Sequence, residues 1–249
     1  MLRRRYDGEV ATTPDNLQSL HQQEERIRSA SLAAIAGDIA LSDHLQMAHD
    51  ALDHLTALRQ AESSPGDDTY TVQLFVIRLF NIGASALKLG LSGYYQQAFQ
   101  LLRDSLELVN LADLFRADPA KISEWRLAEN KKLKKDFGPA AVRMALEAFP
   151  QYKGQQAGRN KSYATFSEHA AHTTYIGFKL VAPGNAPRLG PFINADLLKA
   201  FIEDLGRHLA HATLALSTLV DEDVGHVVMA SKVTFLESLR RYHEKYIKQ

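Results

Sequence analysis

The chain has 249 residues, with 29 Lys+Arg against 29 Asp+Glu, ten histidines, no cysteine and 45% hydrophobic residues. That length buries a full core without disulfides or structural zinc. The lack of cysteine excludes thiol catalysis, iron–sulfur clusters and every Cys-based zinc site. Zero net charge argues against a protein that coats DNA or membranes through its overall field, so only local patches carry an electrostatic signal.

Met1-Leu2-Arg3-Arg4-Arg5 is a basic start, but Tyr6, Asp7 and Glu9 follow where a signal peptide has its apolar run. The most apolar windows, 72–92 and 212–220, are broken by Gln73, Arg78, Asn81, Lys88, Thr213 and Ser217, short of the roughly 18 uninterrupted apolar residues of a membrane span. The expectation is a cytoplasmic protein with no membrane contact. It forms one domain over residues 1–249, with 1–14 a flexible lead.

Prolines at 14, 65, 119, 139, 150, 183, 187 and 191 leave 15–64, 66–118 and 192–249 free of proline. A proline inside a helix costs about 3 kcal/mol, so these windows are where long helices fit. Leu17, Leu20, Ile27, Leu32, Ile35, Ile39, Leu45, Ala48, Leu52 and Leu55 form an amphipathic stripe. The stripe predicts a helix over about 16–60 that Gly37-Asp38 can split. Ser63 to Asp68 reads as a loop with acidic residues suited to a helix start. A central helix over 70–91 and a third over 94–115 follow as a helical hairpin around Gly90 to Gly93. Asp118-Pro119 and Gly138-Pro139 each open a shorter helix. Residues 150–162 read as a polar loop, 162–172 as a short helix, 175–180 as at most one short strand, and 181–193 as a loop with three prolines. From Asn194 the helical stripe returns, through Leu198, Phe201, Leu205, Leu209, Ala212, Leu216 and Leu219, and runs past a break near 221–225 to about Ile247. The predicted class is all-α, a multi-helix bundle with long N- and C-terminal helices.

His44, His49 and His54 are five residues apart, about 140° per step on a helix, so they share no face and read as solvated helix residues. Asp204, His208 and His211 fall on one stripe, a spacing able to hold a metal, but a second Glu-x-x-His motif is lacking. They read as a surface pair beside a partly exposed His211, and neither a metal nor a cofactor is expected. Tyr163, Ser167, Glu168, His169 and His172 lie between two loops, with Glu168 and His172 four apart as a carboxylate and imidazole able to pair. Arg103 and Glu107 lie four apart beside Leu101, Leu102, Leu106 and Leu108, as an interhelical link or a pocket floor. Lys131, Lys132, Lys134 and Lys135, with Arg126 a turn upstream, form the strongest basic patch and a candidate phosphate contact.

The segment YYQQAFQLLRDSLELVNLADLFRADP, followed downstream by SYATFSEHAAH and a Gly/Pro-bearing loop, resembles a group of all-helical bacterial proteins distantly related to the HEPN superfamily. Over roughly 94–182, Arg103 and Glu107 match that group's Arg-x-x-x-Glu helix. Tyr163, Phe166, Ser167 and His172 match its aromatic–Ser–His segment, with His169 an alternative histidine. The resemblance implies a helical bundle, often dimeric, whose better-known relatives bind RNA and sometimes cut it. The nuclease members place four to six residues between Arg and His; here Arg207 and His211 have three between them.

Two principal readings follow. One is a homodimeric accessory or regulatory module of stress response or phage defence, with RNA or a protein as partner. Its pocket comprises Arg103, Glu107, Tyr163, Ser167 and His172, and its long first and last helices form the dimer seam. The other is a metal-independent endoribonuclease with His172 or His169 as acid–base and Arg103 on the phosphate. A metal-dependent hydrolase or oxidase using Asp204, His208 and His211 stands third.

Overall fold

The computed structural model describes residues 14–220 and 225–246. Among them are eleven α-helices and no strand, so the all-α expectation holds. Residues 1–13 and the expected break at 221–224 lie outside the described residues, as does Ile247.

The long N-terminal stripe divides into α1 (Asp15–Ala36) and α2 (Ile39–Leu58). The division falls at Asp38, whose carboxylate accepts from the N–H groups of Ala40 at 2.8 Å and Leu41 at 3.1 Å, a side-chain cap that starts a new helix. Helix α3 (Asp68–Leu91) is capped by Asp67 and runs through the interior on Val72, Phe75, Val76, Leu79, Ile82 and Ala86. By length and composition it is also the one helix among the described residues able to cross a membrane. Leu74 and Ile77 stay exposed on its outer side.

Gly93 turns the chain from α3 into α4 (Tyr95–Ala117) with φ +86°, and Phe192 packs against its backbone so closely that a Cβ has no room. Glycine is required there twice over. The helices α5 (Ala120–Arg126), α6 (Asn130–Asp136) and α7 (Pro139–Leu146) flank that core. Helix α10 (Ala195–Ser217), capped by Asn194, crosses α2 at Gly206, where a Cβ would come within 2.7 Å of the His44 carbonyl oxygen. Helix α11 (His226–Tyr246) lies across α2 and buries Val228, Phe235 and Tyr242.

Three expectations are corrected. Residues 156–161, read as loop, are helical and form the first part of helix α8 (Gln156–Phe166), whose later part matches the short helix expected from 162. The Glu147 carboxylate accepts from the N–H groups of Gly154 and Gln156 ahead of it, capping a helix whose inward face is polar and therefore shows no apolar stripe. Residues 175–178 form the single-turn α9 (Tyr175–Phe178), started by Thr174, whose hydroxyl accepts from the Gly177 N–H at 3.0 Å. His44 and His54 are buried, at 2% and 0% exposure, beneath α11. The imidazole of His44 meets the Tyr242 hydroxyl at 2.6 Å, and that of His54 lies 3.0 Å from both Ser217 and Ser231. Hydrogen-bond partners from distant helices make those burials tolerable.

Candidate functional site

Helix α4 presents Arg103, Glu107, Asn110 and Asp113 along one side, and α8 answers with Tyr163 and Arg159, four residues apart. At one end of this seam the Arg103 guanidinium pairs with Glu107 at 2.8 Å and Asp104 at 3.1 Å, donates to the Tyr163 hydroxyl, and reaches Ser167 at 3.5 Å. Tyr163 donates onward to Glu107 at 3.3 Å. Burial works against the charge of Arg103, yet the Asp104 hydrogen bond and the Glu107 carboxylate hold its pKa above the usual guanidinium value. Arg143 of α7 completes the cluster, its guanidinium 4.2 Å from the Tyr163 ring centre and its Nε donating to Asn160 at 2.7 Å. Arg143 is 7% exposed and its Nη1 has no partner; burial pulls its pKa below the usual value. No motif or spacing in the sequence pointed to Arg143. Its one signal was a charged residue between Val142 and Leu146 on a short apolar helix.

Arg103, Glu107, Tyr163 and Ser167 thus come together. His169 and His172 do not join them. After Phe166 the chain takes a π turn, Ser167–Ala171, whose wider repeat breaks the four-residue spacing that would align Glu168 with His172. His169 instead donates to the Thr165 carbonyl at 2.9 Å, while Glu168 and His172 are exposed. The lysines Lys131, Lys132, Lys134 and Lys135 are exposed on α6, with Lys132 4.0 Å from Glu124. Arg126 is drawn away from them to Asp68 at 3.0 Å.

The other end of the seam is built around Asp113, which is fully buried. Its carboxylate accepts from Arg159 at 2.7 Å, His211 Nε2 at 3.2 Å and the Tyr152 hydroxyl at 3.2 Å. Burial pushes this carboxyl up, but the His211 and Arg159 interactions outweigh it and leave Asp113 below its usual value, ionised. Burial, then the Asp113 charge, pushes Tyr152 up to about 12. Arg159 also donates to Asn110 at 2.6 Å, and its Nε has no partner.

Asn110, Arg159 and His211 line an open cleft of about 760 Å³ with Arg207, His208 and His243. Among the described residues no carboxylate lines it; Asp113 stands behind its donors. Burial holds His208 at about 4, so it is neutral near pH 7, its ring 5.3 Å from Phe166 and its Nδ1 unpartnered. Asp204, pushed up to about 6 by burial, pairs only distantly with Arg207 at 3.8 Å. The Asp204–His208–His211 stripe therefore divides between separate partners. Among the described residues no three His, Asp or Glu are grouped to hold a metal.

The fold and the site define a class: an all-helical bundle with a guanidinium-rich polar seam that opens into a donor-lined cleft. Comparison with protein-family models, curated proteins and solved structures finds no match.

Proposed function

We propose that the protein is an accessory binding module that takes a phosphate-bearing ligand into the cleft between α4, α8, α10 and α11. One observation carries this reading: Arg159, Arg207, His211 and His243 face a common opening with no carboxylate on its described lining. Donors preorganised in this way suit an oxyanion, because hydrogen bonds between charged groups are about twice as strong as neutral ones. RNA is the ligand class implied by the resemblance to HEPN-related proteins, and a second copy of the chain is the implied partner in the cytoplasm. Exposed Met229, Val233 and Leu236 on α11 support the dimer.

The test is equilibrium binding of a 5′-phosphorylated RNA octamer. Binding is expected to weaken from 50 to 200 mM salt, to be displaced by inorganic phosphate, and to fall at least tenfold in Arg159→Ala. A wild-type protein that ignores both probes overturns the reading.

The endoribonuclease reading is favoured by a separate observation: His211 is oriented by the buried Asp113 carboxylate and stands beside Arg159. This is the carboxylate-held imidazole that His169 and His172 do not provide. Cleavage that survives a chelator and vanishes in His211→Ala supports it; intact RNA after prolonged incubation rejects it.

A further inference from the structure

We infer that the ligand of this cleft is a small phosphate monoester with a compact apolar body, rather than the backbone of a polyanion. The inference rests on the phosphate-binding reading above and narrows it.

Charge compensation is the first argument. Both guanidiniums at the cleft have carboxylates of their own. Arg159 pairs with Asp113 at 2.7 Å, and Arg207 approaches Glu203 at 3.5 Å and Asp204 at 3.8 Å. A site that tracks a nucleic-acid backbone works through uncompensated Lys and Arg repeated along a groove. The run that has that character, Lys131 to Lys135, is on α6 and contributes nothing to the cleft lining. What remains at the cleft is short-range and directional. Arg159 is fixed by Asn110 and Asp113, and His211 by Asp113. Both guanidinium and imidazole are thus held in place by protein groups behind the cleft wall. That arrangement recognises one discrete oxyanion.

Size and lining are the second argument. A cleft of about 760 Å³ falls in the range of small-molecule sites and is far larger than a lone phosphate requires. The same lining includes the apolar side chains Leu106, Leu214 and Leu239, together with Tyr246. An apolar body attached to the phosphate ester covers these side chains and gains from their burial.

Two glycines keep the space open. Gly154 and Gly158 line the cleft, and a Cβ built on either meets nothing within 4 Å. Gly158 lies in the first turn of α8 with ordinary helical geometry. A larger side chain there starts from open space at the cleft wall, and it favours the helix over glycine. Gly158→Leu is therefore a plug that leaves the fold alone.

Calorimetric titration of the full chain with phenyl phosphate, phenol and inorganic phosphate, and competition against the RNA octamer, test the inference. Phenyl phosphate is expected to bind at least tenfold more tightly than inorganic phosphate, phenol not to bind, and phenyl phosphate to displace the octamer. Gly158→Leu is expected to lose at least tenfold in affinity with an unchanged circular dichroism spectrum. If inorganic phosphate binds as tightly as phenyl phosphate, the apolar body counts for nothing and this inference falls while the phosphate-binding cleft stands. It falls in the same way if the octamer binds and phenyl phosphate fails to displace it. Unaltered phenyl phosphate binding by Gly158→Leu puts the site elsewhere and overturns the inference. If no phosphate probe binds, the broader reading falls with it.

Discussion

His54 holds Ser217 of α10 and Ser231 of α11 on its two ring nitrogens and stacks on Phe235 at a centroid distance of 5.0 Å. Burial, with the charge of Lys232 adding, lowers its pKa from 6.5 to about 4. The unfolded chain takes up a proton near pH 6.5 that the native protein refuses until about 4. The stability contributed by neutral His54 is complete above 6.5 and falls by up to about 3 kcal/mol as the pH drops toward 4. Urea midpoints measured between pH 7.5 and 4.5 are expected to decline through that window, and His54→Gln to flatten the decline. A midpoint independent of pH contradicts the assignment. None of this was legible in the spacing of His44, His49 and His54, because the partners that bury two of them belong to α10 and α11. Asp113 was hidden for the same reason. Its contact with His211 joins α4 to α10, whereas the local stripe that drew attention to His211 paired it with Asp204 and His208 instead.

At the scale of elements, α3, α4 and α10 were readable because their inward faces are apolar and the helical period shows directly. The start of helix α8 was not, because the helix packs inward through Arg159 and Tyr163, whose partners are Asp113 and Glu107. A polar face satisfied by a polar neighbour has no hydrophobic signature, and residues 156–161 read as loop. Its start depends on Glu147, which accepts from two N–H groups at its head. Glu147→Ala is expected to destabilise the protein by about 1 kcal/mol and to speed amide exchange in the first turn of α8 more than in α4. Because α8 carries Arg159, phosphate affinity should weaken with it. Uniform exchange in the variant and the parent argues that the cap is dispensable.

For the whole molecule, α11 has two faces. One covers His44 and His54 through Tyr242 and Phe235; the other exposes Met229, Val233 and Leu236 in a single stripe. If that stripe is the seam of a homodimer, Val233→Asp with Leu236→Asp gives a monomer by light scattering at micromolar concentration while helicity is retained. A wild-type monomer at the same concentration rejects the dimer. The crossing at Gly206 also bears on how the chain reaches its native state. The partner that seals α2, crossing it at the His44 carbonyl, is α10, more than a hundred residues downstream. At roughly 5–20 residues per second, synthesis from Leu58 to Ser217 takes on the order of 10–30 s. Throughout that interval the face of α2 that α10 covers is open to solvent or to a chaperone. The bundle is therefore completed late in translation, and slowing the ribosome within the α10 codons lengthens the time this face stays uncovered.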